Sequence, residues 1–144
     1  MRTTEHAPRG RFQFLEHRRG LSEIVERTGV DPNAIDDVVM GCVTQLHEQG
    51  VNVARNAALI AGFPVDVTGT TVNRLCGSSQ QALNFAAMGV ASGHQDLVIA
   101  SGVESMSRIA MGSDMFLQGE MVIPSPKMSW KYNIIPQGLS AELV

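Results

Sequence analysis

Three short apolar runs that alternate with helix-like stretches constrain the fold of this chain more than any other feature. The runs read "DDVVMGCV" (36–43), "VDVTGTTVNRL" (65–75) and "DLVIASG" (96–102). None alternates apolar with polar residues, as a strand with one wet face would. Continuous apolar strands belong to a sheet covered on both faces, and such sheets are mainly parallel. The stretches between them carry helix signals. "LSEIVERTG" places Leu21, Ile24 and Val25 at helical spacing and ends on Gly29. "NVARNAALIAG" has Asn52 as a cap and Gly62 as a stop, and "SSQQALNFAAMGVASG" stops at Gly93. "DPNAI" reads as a short helical turn capped by Asp31, with Pro32 at its first position. The expected fold class is α/β, a mainly parallel sheet with helices on both faces.

Three regions follow from this pattern. Residues 1–20 read as an irregular N-terminal segment, residues 21–113 as the α/β core, and residues 114–144 as the start of a loop subdomain that is cut short. The last region is rich in Met, Gly, Pro and Ser, and "PSPKMSWKYNIIPQG" has no clear period. A sheet of this kind normally opens on an apolar strand. Only "RFQFL" is on offer, so the first strand is expected to be missing. Its place would be central, leaving two unpaired edges.

Charge and cysteine content exclude several classes of function. Lys and Arg number 11 against 14 for Asp and Glu, a net charge of −3, and no basic stripe for nucleic acid is present. No apolar run is long enough to span a bilayer. The two cysteines, Cys42 and Cys76, make neither a disulfide framework nor a zinc spacing, so no metal is expected and a cytoplasmic location fits best.

The candidate chemistry lies in "TTVNRLCGSSQQAL" (70–83), where a thiol stands between a strand and a helix. Ligands of parallel α/β sheets gather beyond the carboxyl ends of the strands. A helix start favours an anion, and the thiolate is the nucleophilic form of cysteine. Backbone N–H groups of Cys76 and Gly77 would face a developing oxyanion, with Ser78 and Ser79 as helix caps. A free cysteine is equally at home as a small buried hydrophobe, and spacing alone leaves both roles open. Cys42, inside a strand, gains no help from a helix terminus. The third helix has almost no polar face and is expected to be buried. Glu104 suits a structural carboxylate held by loop N–H groups better than a catalytic one, and His47 suits an exposed loop. Gly69, Gly77 and Gly102 do not form a dinucleotide fingerprint.

These segments resemble the thiolases, the acyl-CoA acyltransferases. "TVNRLCGSSQQAL" is similar to their nucleophile segment. "DDVVMGCVTQLHEQGVNVARNAALIAGFP" resembles the strand, loop and helix before it, and "GHQDLVIASGVESMSR" the strand and Gly-x-Glu-Ser-Met-Ser segment after it. "GCVTQ", "EQG" and "MSWKYNIIPQGLSAEL" resemble the branch acting on bulkier acyl or steroid side-chain substrates. The resemblance implies that Cys76 takes an acyl group from an acyl-CoA or 3-ketoacyl-CoA as a thioester, with the Cys76 N–H in an oxyanion hole. It implies coenzyme A thioester as substrate with no bound cofactor, and a homo-oligomer, dimer or tetramer, for the intact family. The family also uses a Gly-His-Pro histidine and a Cys-x-Gly cysteine in its C-terminal half. No histidine here (His6, His17, His47, His94) precedes a proline. The chain is therefore expected to be a fragment, inactive alone. A ketoacyl-synthase-type condensing enzyme and a non-catalytic piece that associates with intact subunits are the alternatives.

Overall fold

The computed structural model describes residues 11–122 and 124–144. The chain divides into two compact units, one ending at Ala110 and the other running from Met111 to Val144. Sequence alone put that division at 113/114.

In the first unit, helix α1 (Arg11–Thr28) leads through a short 3-10 turn (Pro32–Ala34) into strand β1 (Asp37–Gly41). Helix α2 (Val53–Ile60), strand β2 (Thr68–Val72), helix α3 (Ser78–Ala91) and strand β3 (Val98–Gly102) follow. Two of the caps form where the sequence places them. The Asp31 carboxylate accepts the Asn33 N–H at 2.9 Å, and Asn52 Oδ1 accepts the Arg55 N–H at 3.2 Å. Gly29, at φ +68, ends α1 with its N–H donating to the Val25 carbonyl. Residues 11–20, expected to be irregular, are helical, so α1 starts ten residues earlier than the apolar spacing suggests. The expected irregularity of residues 1–10 lies outside the described residues.

The three strands form one parallel sheet in the order β2-β1-β3. Strand β1 is central and pairs in register with both neighbours, Val38 opposite Gly69 and Ile99. The expected gap at the centre of the sheet does not exist, because the run at 36–43 occupies that place itself. Among the described residues no strand precedes Asp37.

Helices cover both faces of β1, as its continuous apolar run requires, whereas the edge strand β2 reads TGTTV and is exposed or half-buried, so the expected continuous apolar run is corrected there. Val38, Met40 and Cys42 share a buried cluster with Leu21 of α1 and with Val53, Ala54 and Ala57 of α2. Full burial of an aliphatic side chain such as Leu21 stabilises by about 1.5–3 kcal/mol. The opposite face meets α3 through Ser78, Gln81, Ala82 and Ala86, which are buried. The outer side of α3 is open, with Leu83, Phe85, Met88 and Val90 exposed. The expectation of a helix buried all round is corrected: within this unit α3 has a partner on one side only.

The second unit opens with a hairpin of β4 (Phe116–Leu117) and β5 (Glu120–Met121). Gln118 and Gly119, at φ +52 and +87, make the two left-handed turn residues that match strand twist. Helices α4 (Pro126–Lys131) and α5 (Gln137–Ala141) follow, the first capped by Ser125. Helices of six and five residues are too short to display a period, which is why the sequence reads as irregular there.

Candidate active site

Cys76 sits four residues beyond β2, in a turn rather than at the strand end that the sequence suggests. Asn73 shapes the turn. Its Oδ1 accepts the Leu75 N–H at 2.9 Å, a local bond that draws the backbone out of the extended form. Leu75 then adopts φ +47, an uncommon conformation for a residue with a branched side chain. Two further bonds close the turn, from the Gly77 N–H to the Arg74 carbonyl and from the Ser78 N–H to the Leu75 carbonyl, both at 3.0 Å.

Two expectations for this segment are corrected. Gly77, not a serine, caps α3, and no side chain bonds to the helix start from the cap position. The buried Ser78 hydroxyl instead accepts the Arg74 N–H at 2.9 Å and donates to the Leu75 carbonyl at 2.6 Å, tying the turn to the helix. The Gly77 N–H, expected to face an oxyanion, is engaged by the Arg74 carbonyl. The bonds of the turn take up the N–H groups of Arg74, Leu75, Gly77 and Ser78, and that of Cys76 is not among them.

Two glycines let α3 start directly on the sheet. A Cβ on Gly41 would overlap the Ser78 carbonyl carbon and the Ser79 nitrogen, and one on Gly102 would overlap the Ser79 hydroxyl. These residues lie opposite each other in register at the carboxyl ends of β1 and β3. The close approach sets the start of α3 beside both strand ends. A cleft of about 360 Å³ opens there, lined by Cys42, Val43, Cys76, Ser78, Val103 and Glu104 among others.

The two thiols differ in kind. Cys76 is exposed, whereas Cys42 is 1 % exposed and one residue past the end of β1, not inside it. Burial, and secondarily the charge of Glu104, push the Cys42 thiol up to about 11. At neutral pH Cys42 is a neutral thiol packed as a small hydrophobe.

Glu104 forms the opposite wall. Its Oε2 accepts the Val43 N–H at 2.7 Å, and both oxygens lie 3.3–3.4 Å from the Thr44 nitrogen. Burial alone would raise this carboxyl, but the bonds from Val43, Gln49 and Thr44 outweigh it and hold it below the usual carboxylate range. Gln49 is fully buried. Its Nε2 donates to the Thr44 carbonyl at 2.8 Å and to Glu104 Oε1 at 2.9 Å, while its Oε1 accepts the Ser105 N–H at 2.6 Å. Beside it, Glu48 pairs with Arg108 through both carboxylate oxygens. Sequence reasoning missed Gln49, because a glutamine in a polar loop carries no local sign of burial.

The remaining candidates lie apart from the cleft. His47 is exposed at φ +46, opening a 3-10 turn, and His94 is exposed between α3 and β3. Gly69 faces the Arg55 backbone of α2, so its lack of a side chain answers to packing.

Comparison with known proteins identifies the family. The family model described as the thiolase N-terminal domain matches residues 15–142. A steroid 3-ketoacyl-CoA thiolase of Mycobacterium tuberculosis is 45 % identical over 108 residues, covering 75 % of this chain and 26 % of that protein. The 3-oxoadipyl-CoA/3-oxo-5,6-dehydrosuberyl-CoA thiolase of Escherichia coli is 54 % identical over 85 residues, 59 % of this chain and 21 % of its own length. Among solved structures, the Bacillus anthracis acetyl-CoA acetyltransferase superposes with a TM-score of 0.58 at 47 % identity, covering 60 % of this chain and 22 % of that one. The matched part of this chain thus spans about a quarter of the relatives' length.

Proposed function

The chain belongs to the thiolase family, and from that premise we propose that Cys76 is its acyl-accepting nucleophile. One observation carries the proposal: of the two thiols that line the cleft, Cys76 is exposed beside the start of α3, and Cys42 is buried and held neutral. The substrate is an acyl-CoA or 3-ketoacyl-CoA. With an acyl-CoA, the sulfur of Cys76 attacks the thioester carbonyl and a new C–S bond forms. The tetrahedral oxyanion faces the Cys76 N–H. Its collapse breaks the bond to the sulfur of coenzyme A, which leaves with the proton that Cys76 gives up. The products are an acyl-Cys76 thioester and free coenzyme A; with a 3-ketoacyl-CoA the sulfur attacks the 3-keto carbon instead, the C2–C3 bond breaks, and acetyl-CoA leaves with the proton taken up at C2. Return of the acyl group to a second coenzyme A species draws on the histidine and second cysteine that the resemblance assigns to the family's C-terminal half. Coenzyme A acts here as substrate. The names of the curated relatives support the choice of coenzyme A thioesters, and assembly as a dimer or tetramer and a cytoplasmic site of action belong to the same proposal. Among the described residues no helix is long and apolar enough to cross a membrane.

The test is intact-mass spectrometry after incubation with acetyl-CoA and with a longer acyl-CoA, followed by peptide mapping. The expected result is one acyl mass on the peptide containing Cys76, absent in Cys76→Ala and retained in Cys42→Ala. No adduct on the unaltered chain, or an adduct on Cys42, would overturn the proposal.

A further inference from the structure

Backbone pairing of β1 toward β2 ends with the Cys42 N–H on the Val72 carbonyl, at 3.0 Å, and the next residue, Val43, is held by side chains at both its N–H and its carbonyl. The Val43 N–H donates to Glu104 Oε2 at 2.7 Å. The Val43 carbonyl accepts Asn73 Nδ2 at 2.9 Å, together with the Gln45 N–H at 3.1 Å. Asn73 uses its other amide atom to accept the Leu75 N–H, and Leu75 directly precedes Cys76. On the far side, Gln49 bonds Glu104 Oε1 and fixes Ser105 and Thr44 around it. Five bonded groups therefore run without a break from a fully buried glutamine to the turn that carries the exposed thiol.

We propose that Gln49 and Asn73 are positioning residues for Cys76, joined through the Glu104 carboxylate and the backbone of Val43 into one hydrogen-bonded relay across the cleft. This rests on Cys76 being the nucleophile. Each amide has a task that only a side chain with both a donor and an acceptor performs. Gln49 donates to Glu104 and to the Thr44 carbonyl while accepting from Ser105, and Asn73 donates to one wall of the cleft while accepting from the other. Release of Glu104 frees the Val43 and Thr44 N–H groups, and with them the backbone of Val43. A freed Val43 carbonyl no longer fixes the Asn73 amide, and Leu75 loses the bond that offsets its left-handed backbone. The sulfur then no longer has one direction relative to the Cys76 N–H. A nucleophile depends on that direction, because attack needs near-contact geometry with the carbonyl carbon.

Amide hydrogen exchange on the full chain, set against acylation of Cys76, tests the relay. Gln49→Leu is expected to speed exchange at Val43 and Leu75 by about tenfold, while the amides of Val38 to Met40 keep their protection, and to slow Cys76 acylation by about tenfold. Asn73→Asp keeps an oxygen for the Leu75 N–H but removes the donor to Val43. In that background, Gln49→Leu is expected to leave Leu75 exchange where Asn73→Asp alone puts it. Acceleration confined to Thr44 and Ser105, uniform acceleration across the sheet, or an effect at Leu75 that survives Asn73→Asp would each overturn the relay. If Gln49→Leu does not fold, Asn73→Asp decides alone, since Asn73 is exposed and the core is spared. Val43 exchange unchanged in that variant overturns the proposal, and a roughly tenfold rise supports it. Absence of acyl uptake by the unaltered chain would refute the nucleophile instead, and the exchange rates would still decide whether the relay exists.

Discussion

Cys42 Sγ lies 4.0 Å from Oε2 of Glu104, so a thiol and a carboxylate share the buried end of the central strand. Both burial and that charge oppose ionisation of the thiol. The unfolded chain loses this proton near the ordinary thiol value and the folded chain only near 11. Between the two the folded state binds more protons, so stability falls as pH rises. Denaturant titrations from pH 8 to pH 11 are expected to show that loss. Cys42→Ala should start less stable, because a buried side chain is cut back, and should lack this part of the alkaline decline.

Gly41 and Gly102 carry the seat of α3 in different ways. A methyl group at 41 meets helix backbone, which has no room to yield, so Gly41→Ala is expected to destabilise by about 1–3 kcal/mol. At 102 the nearest obstacle is the end of the Ser79 side chain, with Ser79 Cβ at 2.9 Å behind it. Gly102→Ala should cost less, and part of that loss should return when Ser79→Ala is added. Urea midpoints of the three variants check the order.

Asn52 connects α2 to β2 as well as capping the helix. Its Oδ1 accepts from the Arg55 N–H and from Thr71 Oγ at 3.1 Å, while its Nδ2 donates to the Gly69 carbonyl at 2.7 Å. It also holds φ +58, a conformation that asparagine tolerates better than most residues. Asn52→Ala is expected to destabilise by about 1–2 kcal/mol, and Asn52→Gly, which keeps the backbone but not the bonds, by less. Thermal melts of both variants separate the backbone contribution from the hydrogen bonds.

Leu75 is exposed at positive φ, so its side chain adds strain without a packing return. Leu75→Asn should be neutral within about 0.5 kcal/mol or mildly stabilising, whereas a β-branched Leu75→Ile should lose about 1 kcal/mol or more. Equal melting temperatures for the two variants would contradict this.

Acid should weaken the wall opposite Cys76. Hydrogen bonding holds Glu104 below the usual carboxylate range, and its bond to Arg108 does the same for Glu48. A carboxyl whose folded value is depressed contributes stability that is present above its unfolded value and lost as pH falls through the folded one. Glu104→Gln is expected to flatten the acid limb of the stability curve measured by chemical denaturation. It should also destabilise at neutral pH by about 1–3 kcal/mol, because an amide cannot accept from Val43, Thr44 and Gln49 at once.

The strands and the inner helices were legible in the sequence because each has a local cause. Apolar or β-rich runs of seven to eleven residues, Asn52 and Asp31 at caps, and Gly29 past a helix end act over a few positions. Cys76 stood out through its place between strand and helix, and the family resemblance selected the nucleophile role from the two its spacing left open. What stayed hidden depends on tertiary contact. Nothing near Gln49 in the chain announces Glu104, 55 residues away. The engagement of the Gly77 N–H by Arg74 follows from an Asn73 turn that the β-branched run at 70–72 masks. The open outer face of α3 could not be read either, since Leu83, Phe85 and Met88 look the same whether a neighbour covers them or not. Strand order was misjudged for the same reason: pairing is a property of the assembled sheet, not of any one run.

Because two side-chain-free positions let the first turn of α3 rest on the strand ends, the footing of the helix is set from the sheet side alone. Ala82 and Ala86 keep the inner side of the helix on the sheet behind that turn. Substitutions along the exposed outer surface of the helix, at Leu83, Phe85 or Met88, therefore leave the footing of the turn that follows Cys76 untouched.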